Sequence, residues 1–216
     1  MNIASFIDHT VLKPDTTLAE IKQICQEAVD HSFAAVCVPP FYVAQARQAL
    51  DGSPVKLATV IGFPLGYSAT VAKVEEIKRA IDEGADEFDI VINIAAAKNG
   101  NWSFVRNDID RMLTACHLRA KQIKVIIETA LLTESEILEV CKICNDLVPD
   151  YVKTSTGFNG AGATPEVIRL LRSTLKKEIK IKASGGIRTL EDAKALIAAG
   201  ADRLGASRGV AIVGEE

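Results

Sequence analysis

Residues 151–186 read YVKTSTGFNGAGATPEVIRLLRSTLKKEIKIKASGG, and this stretch contains a complete strand–helix–strand unit. Two short strand patterns, Tyr151–Lys153 and Ile179–Ala183, enclose an amphipathic helical pattern over Pro165–Leu175. A helix between two strands carries the chain back, so that the second strand runs parallel to the first. The stretch therefore predicts a parallel sheet covered by helices.

The same alternation of strand and helix patterns continues along the whole chain. We predict eight strands, at Ser5–Asp8, Ala34–Val38, Leu57–Ile61, Glu87–Ile92, Lys124–Glu128, Tyr151–Lys153, Ile179–Ala183 and Arg203–Gly205. Helices are predicted between them, at Leu18–His31, Pro40–Leu50, Ala69–Glu83, Trp102–Ala120, Glu134–Leu147, Pro165–Leu175 and Leu190–Ala199, with a short last helix from Val210. Eight strands without a long linker favour a closed barrel over an open, doubly wound sheet. We therefore expect one α/β domain, a (β/α)8 TIM barrel over residues 1–216.

The composition indicates an ordinary globular protein, since 48% of the 216 residues are hydrophobic and 25% are charged. The formal net charge of -3 provides no basic field for a polyanion, so we expect no nucleic-acid partner. The first residues show no basic segment followed by an apolar one, and we expect no secretory signal. The longest apolar segment, Leu57–Ala72, contains Gly62, Pro64 and Gly66 and is shorter than a membrane span of roughly 20 residues. These features predict a cytoplasmic protein that does not bind membranes.

The cysteines and histidines do not show the spacing of a metal or disulfide framework. The chain has five cysteines, an odd number scattered through core-like segments, and we expect free thiols in a reducing compartment. Cys141 and Cys144 form a C-x-x-C pair inside a helical pattern without a second pair, which favours core packing. The three histidines lack ligand spacing, so no metal site is expected.

Two lysines, Lys153 and Lys182, end predicted neighbouring strands whose side chains should point into the barrel. Barrel interiors are mainly apolar and lysine is rarely buried without a partner, so both positions are candidates for function. The alternative is that each side chain reaches solvent or forms a salt bridge. Both lysines precede turns rich in Gly, Ser and Thr, which makes the functional interpretation the stronger one.

In a pair of neighbouring lysines, one can lower the pKa of the other and so make it a nucleophile. An amine is a nucleophile only when it is unprotonated, and free lysine titrates near 10.4. A second ammonium about 6 Å away raises the energy of the protonated form by roughly 3 kcal/mol at an effective dielectric near 20. That effect would lower the pKa by about two units, and desolvation acts in the same direction. One lysine could then form a Schiff base, although spacing alone leaves open which one.

Glycines after the last two predicted strands indicate a phosphate site. Gly185 and Gly186 follow strand seven, while Gly205 and Ser207 follow strand eight. Loops after strands seven and eight commonly bind phosphate in such barrels, because bare backbone N–H groups can hold an anion. Tight turns are the alternative explanation for the glycines. Arg188 and Arg208 lie nearby in the sequence as charge partners, and Ser207 adds a hydroxyl donor.

Two carboxylates are candidates for proton transfer. Asp89 lies in a strand pattern whose alternation turns its side chain into the barrel, where it could pair with the lysines or shuttle protons. Asp8 raises the same question at the first strand, and capping or pairing explains it equally well. Asp89 is the stronger candidate of the two.

The chain resembles the deoxyribose-phosphate aldolase family. The resemblance is carried by VKTSTG at residues 152–157 and IKASGGIRT at 181–189, and it extends through IDHTVL at 7–12, VIGFP at 60–64 and EFDIV at 87–91. Each of the first two motifs is specific, and their separation makes an accidental match of both less plausible still. The match covers nearly the whole chain.

The resemblance implies a reversible cleavage of 2-deoxy-D-ribose 5-phosphate to acetaldehyde and glyceraldehyde 3-phosphate without a cofactor or a metal. It implies that Lys153 forms the imine, that Lys182 lowers its pKa and joins Asp89 in proton transfer, and that Asp8 helps to hold the relay and the substrate hydroxyls. The expected phosphate-binding residues are Gly157, Gly185, Gly186, Gly205 and Ser207. The partners would be a phosphorylated sugar and aldehydes, and the family suggests a homodimer.

Two departures from the family pattern and two rival functions accompany this interpretation. Phe158 stands where some family members have a lysine near the phosphate, and the chain ends at Glu216 soon after the last phosphate loop. One rival is another imine-forming barrel enzyme, such as a transaldolase or a keto-acid aldolase, which would differ in its donor. The other is a non-catalytic phosphate-binding barrel, which would form no covalent adduct.

Overall fold

Eight parallel strands form a closed barrel in which strand order follows sequence order. The structure, a computed structural model, describes residues 2–215, so the two ends of the predicted 1–216 domain lie outside the described residues. The strands are β1 Ile7–Thr10, β2 Ala35–Val38, β3 Lys56–Ile61, β4 Glu87–Val91, β5 Gln122–Ile126, β6 Tyr151–Lys153, β7 Lys180–Ser184 and β8 Arg203–Ala206. The predicted (β/α)8 TIM barrel is confirmed.

Helices connect the strands and surround the barrel. They are α1 Leu18–Asp30, α2 Val43–Ala49, α3 Thr70–Asp82, α4 Ile94–Lys98, α5 Trp102–His117, α6 Glu134–Leu147, α7 Pro165–Thr174, α8 Leu190–Ala198 and α9 Gly209–Gly214. Short 3-10 helices cover Ile3–Phe6, Pro40–Tyr42 and Thr129–Leu131. Within residues 2–215, every helix is too short or too polar to cross a bilayer.

Local sequence explains where several of the long helices begin. Capping boxes precede α1, α6 and α8, formed by Thr17 with Glu20, Thr133 with Glu136 and Thr189 with Asp192. In each box the threonine side chain accepts from the backbone N–H three residues later, and the acidic side chain accepts from the threonine N–H. The first-turn N–H groups, which lack partners inside the helix, are satisfied in this way.

The main core lies between the strands and the surrounding helices, while the barrel interior has a different composition. On the β2 and β3 side the interior is small and apolar, with Ala35, Cys37, Ala58 and Val60 packed together. The strands on the other side of the barrel place buried charged side chains in the interior. Apolar side chains therefore fill one part of the barrel interior, and ion-paired charged side chains fill another part.

Strand register brings the charged residues of neighbouring strands side by side. Lys153 on β6 pairs with Lys182 on β7, and Asp89 on β4 pairs with Lys124 on β5. Paired residues of parallel strands point to the same side of the sheet, so these side chains share the barrel interior.

Some predicted boundaries were wrong by a few residues. The predicted strand Ser5–Asp8 begins at Ile7, because Ile3–Phe6 forms a 3-10 turn that buries Ile3 and Ala4. The predicted strand Lys124–Glu128 ends at Ile126, and Glu128 lies beyond it with a left-handed backbone. Helix α4 was not predicted; its N-cap is Asn93, whose side chain accepts from the backbone N–H of Ala96.

Candidate active site

Lys153, Lys182 and Asp89 meet inside the barrel. Lys153 is 3% exposed, and Lys182 and Asp89 are fully buried. The Nζ atom of each lysine donates to the same carboxylate oxygen, Oδ2 of Asp89, at 2.7 Å. The two nitrogens are therefore separated by at most twice that distance. The structure thus brings the predicted lysine pair within range of strong electrostatic interaction.

Asp8 is the second carboxylate of this cluster. It is fully buried, its Oδ2 accepts a hydrogen bond from Lys182, and its Oδ1 accepts from the Arg203 guanidinium at 2.6 Å. Lys124 Nζ lies 3.3 Å from Asp8 Oδ2. The structure places Asp8 beneath the lysine pair as a partner of Lys182.

A deeper layer of charges was missed by the sequence analysis. Lys124 Nζ lies 2.9 Å from Asp89 Oδ1 and 2.6 Å from Glu87 Oε2. The Arg203 guanidinium donates to the Tyr151 hydroxyl at 3.2 Å. These residues lie within or at the start of strands, whereas the sequence was searched for function only at strand ends. A buried charge alternating with apolar residues along β5 was the signal that could have identified Lys124.

The cluster is electrically balanced when one of its lysines is uncharged. It contains three carboxylates and four basic side chains, namely Asp8, Asp89 and Glu87 with Lys153, Lys182, Lys124 and Arg203. A buried excess charge is expensive because it is removed from water without a partner. The neutral member is therefore expected to be the lysine with the weakest hold on its proton.

That lysine is Lys153. Burial lowers the pKa of Lys153 below its usual value; the Asp89 carboxylate opposes this effect, and the Lys182 ammonium adds to it. Burial acts in the same direction on Lys182, but there the carboxylates of Asp8 and Asp89 outweigh it and raise the pKa. Burial likewise opposes the charge on Lys124, and the neighbouring carboxylates raise its pKa well above the usual value.

The two aspartates of the cluster, Asp8 and Asp89, remain ionised at neutral pH. Burial on its own would raise the pKa of Asp89, but Lys124, Lys153 and Lys182 together hold that pKa well below its usual value. The pKa of Asp8 is also lowered, because Lys124, Lys182 and Arg203 outweigh its burial. Asp89 thus stays a carboxylate that accepts hydrogen bonds from both Lys153 and Lys182.

A cavity of about 230 Å³ opens at the carboxyl ends of the strands and reaches Lys153. Lys182 is not among the residues that line it, so of the two lysines only Lys153 faces the cavity. The lining includes every residue predicted to bind phosphate, namely Gly157, Gly185, Gly186, Gly205 and Ser207. The structure thus places Lys153 and the predicted phosphate-binding residues around one space.

Glycine is required at two of these positions. Gly185 has a φ of 85°, a left-handed conformation that side chains disfavour. At Gly205 a Cβ atom would lie 2.4 Å from the Ser184 hydroxyl oxygen and 3.1 Å from Cε of Lys182. A side chain at position 205 would therefore clash with the Ser184 side chain and crowd the end of Lys182.

Lys13 is a cation of the cavity that the sequence analysis did not single out. Lys13, Arg188 and Arg208 are all exposed, but of the three only Lys13 lines the cavity. Phe158 also lines the cavity and packs edge-on against Phe63, with ring centroids 5.2 Å apart. A lysine from the loop after β1 therefore supplies positive charge where Phe158 supplies none.

Other features of the described residues offer less chemistry. A larger cavity of about 730 Å³ lies outside the barrel between α3 and α5, and none of the charged residues of the barrel interior lines it. No group of three or more His, Cys, Asp or Glu side chains within residues 2–215 could hold a metal ion. All five cysteines are buried free thiols, as predicted, and burial raises the pKa of Cys141 to about 12.

The fold and the site together indicate a class of enzyme, and comparison with known proteins gives the same class. A (β/α)8 barrel with a buried lysine at its carboxyl-end cavity, beside glycine loops after β7 and β8, has the architecture of an aldolase. The chain belongs to the DeoC/LacD family of aldolases, whose family model matches residues 3–214.

Two curated relatives and one solved structure illustrate the similarity. Deoxyribose-phosphate aldolase 1 of Oceanobacillus iheyensis is 52% identical over 216 residues, covering 100% of this chain and 97% of the relative. Deoxyribose-phosphate aldolase of Desulfitobacterium hafniense is 52% identical over 213 residues, covering 99% and 98%. The tetrameric deoxyribose phosphate aldolase structure from Aeropyrum pernix has a TM-score of 0.92 at 30% identity, covering 98% of this chain and 89% of that one.

Proposed function

We propose that this chain is a class I aldolase that reversibly cleaves 2-deoxy-D-ribose 5-phosphate to acetaldehyde and D-glyceraldehyde 3-phosphate. The observation that carries the proposal is the amine of Lys153, which is buried, has a lowered pKa and faces a cavity lined by glycine N–H groups. The curated relatives that bear this name match the chain over nearly their full length, which supports the same substrate.

In the proposed reaction, neutral Nζ of Lys153 attacks the C1 aldehyde of the open-chain sugar, and the adduct loses water to give a protonated imine. A base removes the proton of the C3 hydroxyl, the C2–C3 bond breaks, and its electron pair moves toward the imine. Glyceraldehyde 3-phosphate leaves and an enamine remains on Lys153. Protonation at C2 and hydrolysis of the imine then release acetaldehyde and restore the amine. The imine stabilises the electron pair that would otherwise form a bare enolate.

The buried charges perform the proton transfers in this proposal. Asp89 and Lys182 share a hydrogen bond beside Lys153 and can exchange a proton with the substrate directly or through water. Asp8 holds Lys182 in its charged form, because its carboxylate bonds to that ammonium. Direct contact of Asp8 with substrate hydroxyls is not required for this role.

The phosphate is proposed to bind at the glycine loops. Gly185, Gly186 and Gly205 present backbone without side chains to the cavity, and Ser207 offers a hydroxyl. Lys13 lines the same cavity and supplies the positive charge that a dianion favours. Gly157 completes the lining next to the Lys153 segment.

Trapping with borohydride in the presence of acetaldehyde tests both the nucleophile and the donor. We expect an ethyl group on Lys153, identified by peptide mass mapping, and no label on the Lys153→Ala variant. That variant should lose all measurable turnover and keep the circular dichroism spectrum of the wild type. Label on another lysine would contradict the assignment of the nucleophile, and absence of any adduct would favour a non-catalytic phosphate-binding barrel. Wild-type turnover of a different donor would favour a transaldolase or keto-acid aldolase.

We propose further that the chain is one barrel domain that forms a homodimer in the cytoplasm. Exposed apolar side chains on the outer helices, among them Val71 and Leu118 at 69% and 79% exposure, support self-association. The buried free thiols support a reducing compartment. Sedimentation equilibrium distinguishes a dimer from a monomer or a larger assembly.

A further inference from the structure

Glu128 is a buried carboxylate just after β5 with an unusual backbone conformation. Its φ and ψ are 52° and 64°, in the left-handed region, and it is fully buried. The other described non-glycine residues with positive φ are Ser32, Ala120 and Val148, and each follows the end of a helix. A left-handed residue is usual after a helix, whereas at a strand end it is strained and must be held by its contacts.

Three donors hold the Glu128 carboxylate. Its Oε1 accepts from the Thr156 backbone N–H at 3.1 Å, and its Oε2 accepts from the Thr156 hydroxyl and from Asn159 Nδ2, the latter at 3.0 Å. No Lys or Arg between residues 2 and 215 forms an ion pair with Glu128. The carboxylate is therefore satisfied by the loop after β6 and by no opposite charge.

This loop forms one wall of the cavity. Thr156 and Gly157 line it three and four residues after Lys153, and the Phe158 N–H donates to the Thr156 hydroxyl at 3.1 Å. Glu128 does not line the cavity. It can therefore act on the site only through the loop that it holds.

We propose that Glu128 is a positioning residue that fixes the loop after β6 for binding the phosphate end of the substrate. The proposal rests on the proposed function. Without the carboxylate, Thr156 loses the acceptor of both its N–H and its hydroxyl, and Asn159 loses one partner. The loop can then move, and Gly157 no longer lies where a bound phosphate needs it. Lys153 keeps its own contact with Asp89, so its chemistry with small aldehydes is retained.

The test compares phosphorylated and unphosphorylated substrates in Glu128→Ala. We expect the KM for 2-deoxy-D-ribose 5-phosphate to rise about tenfold or more, since small misplacements of a binding group carry effects of this size. The turnover of 2-deoxy-D-ribose and the trapping of acetaldehyde should stay at wild-type levels. Glu128→Gln should restore part of the affinity, because its carbonyl still accepts from the Thr156 N–H and its amide can donate to the Thr156 hydroxyl, although that amide cannot accept from Asn159.

Glu139→Ala is the matched control, because Glu139 is a surface carboxylate whose ion pair with Lys142 lies in solvent. Glu139→Ala should change neither the KM for 2-deoxy-D-ribose 5-phosphate nor the turnover of 2-deoxy-D-ribose. Calorimetric titration with inorganic phosphate gives a second measurement that does not need turnover, and we expect about tenfold weaker binding to Glu128→Ala than to the wild type. Because phosphate binding does not require turnover, this measurement tests the positioning role of Glu128 even if the proposed aldolase reaction is wrong.

Wild-type phosphate affinity and KM in Glu128→Ala would overturn the proposal. An equal loss with the phosphorylated and unphosphorylated sugar would also overturn it, since that result indicates general damage to the fold. If Glu128→Ala does not fold, Asn159→Ala removes one of the three donors and leaves the carboxylate in place. That variant should show a smaller rise in KM for the phosphorylated sugar only, and an unchanged KM would contradict the proposal.

Discussion

The protonation state of Lys153 is the residue-level property on which the proposed chemistry depends. From the sequence, the pKa of Lys153 is expected to be lowered mainly by the neighbouring Lys182, with desolvation as a secondary cause. In the structure burial is the largest cause, and the Lys182 ammonium counteracts part of the opposing attraction of Asp89. Lys182 therefore has its effect by balancing a carboxylate that would otherwise keep Lys153 protonated.

Replacement of Lys182 should move the activity to higher pH. In Lys182→Met the Asp89 carboxylate remains beside Lys153 without the second ammonium, so the pKa of Lys153 rises and less neutral amine is present at neutral pH. Since the neutral amine is the reactive form, the acidic limb of the profile of kcat/KM against pH should move to higher pH. We expect neutral-pH activity to fall about 100-fold, because a positioned proton donor is also lost.

The measurement for Lys182→Met is a pH profile of kcat/KM for the wild type and the variant. Lys142→Met is a suitable control, because Lys142 is a surface residue of α6 and should leave the profile unchanged. An unshifted profile in Lys182→Met would show that Lys182 does not govern the charge on Lys153.

Among the helices, α3 and α5 are joined by a buried ion pair behind β4. Lys73 Nζ lies 2.8 Å from Asp108 Oδ2 and donates to the Val91 carbonyl at 2.9 Å, while the Thr70 hydroxyl donates to Asp108 Oδ1 at 2.7 Å. Lys73 and Asp108 are at most 1% exposed. Both helices were predicted from the sequence, but this ion pair between them was not.

We expect Lys73→Met to lower the free energy of unfolding by about 3–5 kcal/mol, because Asp108 would remain buried without its cation. The double variant Lys73→Met with Asp108→Leu should lose less, since no unpaired charge is left. Urea unfolding at neutral pH measures both values. A double variant less stable than Lys73→Met would contradict this expectation, because removing the unpaired carboxylate would then bring no gain in stability.

Helix and strand positions were predicted closely where local patterns define them, and less well where they do not. Helix α6 was predicted with the bounds observed, because a capping box begins it and its apolar positions recur with helical periodicity. The first strand was placed two residues early, because Ile3–Phe6 has strand-like composition but packs as a 3-10 turn. Helix α4 was missed, since five residues are too few to establish a period.

For the complete enzyme we expect activity without a metal. The proposed reaction uses a lysine imine to accept the electron pair from the broken C2–C3 bond, so no Lewis acid is needed to stabilise an enolate. Prolonged treatment with EDTA should therefore leave kcat and KM unchanged within measurement error. A loss of activity that is restored by a divalent cation would indicate a metal-dependent mechanism.

The sequence alone determined the barrel and the two lysines, Lys153 and Lys182, between which the proposed nucleophile had to be chosen. The order of strand and helix patterns and the glycines after the last two strands are local features, because short segments specify them through periodicity and backbone preference. These features indicated the (β/α)8 fold, whereas the aldolase family was inferred from the resemblance of the motifs at residues 152–157 and 181–189.

Only the tertiary structure decided which lysine faces the cavity and which partners set its charge. Lys124 on β5 and Arg203 on β8 lie far from Asp8 in the sequence, and they reach its carboxylate only because the barrel closes. A pKa depends on burial and on distances to charges in space, and neither quantity can be obtained from the spacing of residues along a chain.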